Sequence, residues 1–213
     1  MSTTVTEAAQ PAAATNGAAA PAAAAGDPAI LGLPIFVVGS IALGLANVGY
    51  VPPAAAAAAL PIILAATGLG LLVATIWAAG LGQTLVAGIF GLFAGFWWSY
   101  GALVLGLTHR WFIIPPANLE RTIALFLISW AVVMAALTIA TVRLPVAYTA
   151  VVGLVVIALV LLIFGTTGAD ATLIKAAGWV TLAFAALGTY LFLNTASLAT
   201  GGKGFPLGRP IVS

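Results

Sequence analysis

The chain has 213 residues, 63% hydrophobic and 5% charged, with a formal net charge of +2 and a mean hydropathy of +1.24. A water-soluble domain carries about 25% charged residues, so most of this surface must face lipid. The absence of cysteine and the single histidine, His109, exclude a disulfide framework, a thiolate nucleophile and a Cys/His metal centre; six basic residues against four acids are too few for a nucleic-acid surface.

Residues 1–26 are rich in Ala, Pro and Thr and contain no Lys or Arg. They lack the basic start and leucine-like core of a secretory signal, and their prolines break helix, so a disordered extension is expected. The stretch GDPAILGLPIF at 26–36 then reads as a helix start. Asp27 can cap free N–H groups, Pro28 suits the first helical position, and Pro34 predicts a kink or broken turn that would aim Phe36.

Six segments are long and apolar enough to cross a membrane, at about 29–51, 56–80, 83–107, 122–142, 146–165 and 172–197. They define an all-α, six-helix transmembrane domain over 27–200 and a C-terminal tail at 201–213. The long connection, THRWFIIPPANLER at 108–121, divides the helices into two sets of three. An even number of spans returns both termini to one side. That side receives Arg143, Lys203 and Arg209, the other Arg110, Arg121 and Lys175, so positive charge does not set the orientation.

No Asp, Glu, Lys or Arg lies deep within a span, which argues against proton pumps and voltage sensors. No nucleotide-binding or metalloprotease motif is present, so no enzyme, cofactor or metal is expected. Most span hydroxyls are expected to bond to their own helix or bridge to a neighbour. Asn47, Tyr190 and Asn194 must instead meet a neighbour, a cavity or the interface, because an amide or phenol in lipid is costly. Uncharged donors of this kind suit a path for a small polar or anionic solute. In the third span Gly88, Gly91 and Gly95 recur at helical spacing, with Gly91 and Gly95 forming GxxxG, and Phe93 and Phe96 share a face.

DPAILGL (27–33), NVGY (47–50), GQT (82–84), GFWWSYG (95–101) and AGW (177–179) with Tyr190 follow in an order and spacing that resembles the acetate uptake transporter family, the YaaH-like succinate–acetate permeases. The resemblance spans about 27–200. It implies a homo-hexameric ring of six-helix protomers in the bacterial inner membrane, both termini cytoplasmic, each protomer passing small monocarboxylates such as acetate, with succinate a further candidate. It also implies a narrow apolar constriction, which carries over to Phe36, Phe93 and Val155. The polar motif positions along the path are Asp27, Asn47, Tyr50, Gln83, Thr84, Tyr190 and Asn194. Three departures stand out: Asp27 and Gln83 replace Asn, and Phe93 replaces a Tyr, leaving the constriction wholly apolar. Two other readings stay open: a channel for neutral solutes such as ammonia, urea or short amides, and a transport-inactive membrane assembly subunit.

Overall fold

A computed structural model of the chain describes residues 26–212. The expected extension, apart from Gly26, lies outside the described residues. The described residues form helices and the connections between them. Among them, six helices are long and apolar enough to cross a membrane: Ala29–Val48, Ala57–Gly80, Thr84–Thr108, Pro116–Ala140, Val146–Thr167 and Ala171–Ala199. This is an integral membrane protein.

Helix α1 (Ala29–Val48) runs unbroken through Pro34, which corrects the expected broken turn. A proline withholds one N–H from the ladder, and the packing on both sides of α1 holds the helix together across that gap. The helix closes at Gly49, whose φ of 91° only glycine adopts without strain; Gly49 and Tyr50 donate back to the carbonyls of Ala46 and Leu45.

The second span is composite. A 3₁₀ stretch (Pro53–Ala59) leads into a π stretch (Ile62–Gly68) and then α2 (Leu69–Gly80). Pro61, at the entrance to the π stretch, has no N–H to give, and beyond it the hydrogen bonds take π spacing before α geometry resumes. The Leu64 carbonyl accepts the Trp98 indole N–H from α3 at 3.1 Å.

Then come α3 (Thr84–Thr108), α4 (Leu119–Ala140), α5 (Val146–Thr167) and α6 (Ala171–Ala199). The fourth helix starts earlier than the expected 122. Glu120 sits favourably in its first turn, so the charged pair Glu120–Arg121 lies inside the helix and does not precede it. Asp170 caps α6 by accepting from Thr172 and Leu173 at 2.8 and 3.3 Å.

Packing runs from α4 to α5 to α6 to α1, with α2 and α3 paired beside α1. Glycines line the seam between the first and sixth helices and let them pack tightly: a Cβ at position 178 would stand 2.8 Å from the Val48 backbone nitrogen. Most span hydroxyls bond to their own helix, as Ser40 does to Phe36 (2.7 Å) and Thr181 to Ala177 (2.8 Å).

The C-terminal segment folds back over the bundle. Leu207 accepts from Ala147 at 3.1 Å, and Ile211 and Val212 donate to the Val142 carbonyl at 3.0 and 3.2 Å. The segment thus lies across the α4–α5 turn, on the face that also holds Asp27 and the α2–α3 turn; the opposite face holds the other three connections.

Candidate functional site

Phe36, Phe93 and Val155 come from α1, α3 and α5, are each about 5% exposed or less, and line one cavity of about 210 Å³. The Phe36 ring lies 4.7 Å from Phe93, tilted by 58°, and 5.7 Å from Phe184, nearly parallel at 28°. The sequence places the rings by leaving room beside them. A Cβ at Gly188 would stand 3.0 Å from Val37 and 3.6 Å from the Phe36 ring, so glycine there lets α6 press Phe36 toward Phe93. Gly32, one turn before Phe36, leaves space for the Phe90 ring; a Cβ at position 32 would fall onto it.

A second, small cavity of about 40 Å³ lies on the other side of these rings, lined by Leu33, Tyr148, Val151 and Leu191. Phe36 and Phe93 line both cavities and form the wall between them. Toward the opposite face the 210 Å³ cavity adjoins a vestibule of about 430 Å³, with Leu43, Asn47, Tyr100 and Ile174 common to both. Vestibule, cavity, ring wall and small cavity therefore follow one another within the helix bundle, each sharing lining residues with the next.

Charge and polarity are graded along that succession. Lys175 is the charged residue lining the vestibule. Asn47 stands at the boundary with the inner cavity, and its buried amide nitrogen has no hydrogen-bond partner among the described residues. Trp97 lines the inner cavity only, 1% exposed, and its indole nitrogen likewise has no partner among the described residues. The wall itself is apolar. Such a sequence can attract an anion, exchange part of its hydration for donors, and then make it cross a short dry step.

The other sequence-derived positions lie elsewhere. Asp27 is exposed and accepts from Ala29 at 2.9 Å, a helix-entry contact. Tyr50 is 77% exposed beyond the Gly49 turn and is not among the residues lining these cavities. Gln83 and Thr84 open α3 beside Gly82, whose φ of 71° makes the α2–α3 turn. Tyr190 and Asn194 are committed to the C-terminal segment: the phenol donates to the Pro206 carbonyl at 2.9 Å, and the amide oxygen accepts from Phe205 N–H at 2.7 Å. Nor does the GxxxG pair of α3 form one seam, since Gly91 faces Thr75 of α2 and Gly95 faces Trp130 of α4.

Asn194→Ala leaves the Phe205 N–H without its acceptor and is expected to destabilise the docked segment by about 0.5–1.5 kcal/mol. Faster hydrogen exchange at the Phe205 and Ala147 amides, with exchange in α3 unchanged, is the measurement that checks this.

Phe184, Trp97, Tyr100 and Lys175 belong to the succession but were not singled out as path residues from the sequence. Helical spacing carried the signal for two of them, because Phe93, Phe96, Trp97 and Tyr100 recur at i, i+3, i+4 and i+7.

The fold has a solved counterpart. A structure of the bacterial acetate channel SatP superimposes with a TM-score of 0.75 at 24% identity, covering 85% of this chain and 98% of that one. The likeness is one of fold. Comparison with curated protein sequences gives no match. The family model described as GPR1/FUN34/yaaH matches residues 10–205. With the match running from before α1 to beyond α6, the chain belongs to the GPR1/FUN34/yaaH family.

Proposed function

We propose that the protein is a membrane channel or transporter for small monocarboxylates, acetate foremost, with a separate path through each protomer. The observation that carries this reading is the succession of cavities that share Phe36 and Phe93 as lining, with Val155 and Phe184 beside them. The donors ahead of that wall suit an oxygen-bearing anion, and the fold counterpart is an acetate channel. An acetate ion would enter past Lys175 and Asn47, lose water in the inner cavity and slip between the rings. Any proton coupling would ride on the solute's own carboxyl, because no Asp or Glu lines the cavities described. We also propose a six-copy ring in the bacterial inner membrane with both termini cytoplasmic. The apolar face of α4, with Leu125, Val132 and Ile139 all more than 60% exposed, is available to lipid or to a neighbouring copy.

A wholly apolar wall also favours a second reading, passage of small neutral solutes such as ammonia or urea. Uptake of labelled acetate, methylamine and urea into liposomes carrying the purified protein separates the two. The carboxylate reading expects acetate to enter at least about tenfold faster than through protein-free liposomes, a difference of about 1.4 kcal/mol in barrier. Acetate uptake at the protein-free rate, with urea uptake raised, would replace the first reading by the second.

A further inference from the structure

Among the described residues, three buried side-chain polar atoms lack a hydrogen-bond partner: Asn47 Nδ2, Thr67 Oγ1 and Trp97 Nε1. Unpaired buried donors are destabilising and rare, so each calls for a physical reason. Thr67 packs against Gly39 of α1 and is not among the residues lining the path. Trp97 is different. It is 1% exposed, lines the inner cavity one helical turn after Phe93, and has a neighbour that shows what a satisfied indole does here: Trp98 donates to Leu64 at 3.1 Å. The Thr181 hydroxyl in the same cavity already donates to its own helix. The Trp97 N–H is thus held at the inner cavity with no hydrogen-bond partner among the described residues.

We propose that the Trp97 indole N–H is the specificity-determining donor of the path, taking one oxygen of the permeating carboxylate as it sheds water ahead of the Phe36–Phe93 wall. This rests on the carboxylate reading above. An indole nitrogen donates and never accepts, so it rewards a solute with a free lone pair and offers nothing to an ammonium ion. Being neutral, it strengthens on meeting a carboxylate without holding the anion as a buried cation would. Lys175 lines only the vestibule, Asn47 lines vestibule and cavity, and Trp97 lines only the cavity, so Trp97 is the innermost of the three.

The experiment uses the full chain in liposomes and detergent. Replacing Trp97 by 3-benzothienylalanine through nonsense suppression exchanges the N–H for sulfur at nearly constant shape; Trp97→Phe is the companion variant. Acetate flux is expected to fall about tenfold in both relative to wild type, the value of one hydrogen bond to a charged group. The second readout is the indole ¹⁵N–¹H spectrum of the wild-type protein, which has six tryptophans. The resonance missing from Trp97→Phe is expected to shift on titration with acetate and to stay fixed with methylammonium chloride. Acetate flux within about twofold of wild type in the benzothienyl variant, or a resonance indifferent to acetate, overturns the proposal. A wild-type protein that carries no acetate while the resonance still moves would sink the transport reading and leave Trp97 as a carboxylate donor.

Discussion

Phe93→Ala is expected to raise acetate flux through the reconstituted protein by about tenfold or more, because it removes half of the wall that an anion must cross dry. The Phe36 and Phe93 rings meet at 4.7 Å and line both inner cavities, so deleting one joins the 210 and 40 Å³ spaces directly. Every 1.4 kcal/mol removed from a barrier is tenfold in rate, and a wider, wetter passage spares the ion at least that much dehydration. The same deletion empties space in a packed cluster and is expected to lower stability by about 3–5 kcal/mol. Phe93→Tyr is the gentler companion: it keeps the ring and adds the hydroxyl that relatives are expected to carry, so flux should rise with little loss of stability. Uptake traces from liposomes of equal protein content measure both. Acetate flux within twofold of wild type in both variants would mean that these rings do not form the rate-limiting barrier.

Gly178→Ala is expected to lower the melting temperature by on the order of 5 °C and acetate flux severalfold, although it adds one carbon far from the rings. The added Cβ would stand 2.8 Å from the Val48 nitrogen and 3.0 Å from the Asn47 carbonyl carbon. Both are backbone atoms, which cannot swing aside as the end of a flexible side chain can. Relief must come from sliding the end of α1 away from α6, and that moves Asn47, the amide at the entrance to the inner cavity. Gly88→Ala is the control, since nothing lies within 4 Å of a Cβ at that position on α3; a helix-interior alanine should leave the melting temperature level or raise it slightly. Equal melting temperatures for the two variants would show that the α1–α6 seam yields freely.

The six crossing helices were legible in the sequence because length and hydropathy are properties of each segment alone. Phe36 and Phe93 could be placed through the motifs beside them, and the structure brings them with Val155 to one cavity. Contacts made by chain that turns back on itself left no such trace. Asn194 and Tyr190 read as polar groups that must meet a neighbour, a cavity or the interface, and the sequence did not say which: the C-terminal segment, adjacent in space, supplies Phe205 N–H and the Pro206 carbonyl. In the second span the alanines of 54–59 have high helix propensity, yet they form a 3₁₀ stretch, and a π stretch follows after Pro61. The glycine spacing of α3 suggested one seam, where Gly91 and Gly95 serve two different neighbours. Phe184 had no motif to mark it and is known only by its stacking on Phe36.

The two chambers flanking the ring wall differ about fivefold in volume, 210 against 40 Å³. A branched or aromatic acid could lodge in the larger chamber, with its carboxylate on the donors and its bulk against the rings, and be unable to advance. Arriving from the face nearer Asp27, the same molecule would meet only the small chamber and find no seat. Such a compound would be a one-sided blocker. Which face of the membrane it works from would then reveal how the protomer is inserted, a question on which the arginines and lysines of the chain are evenly divided.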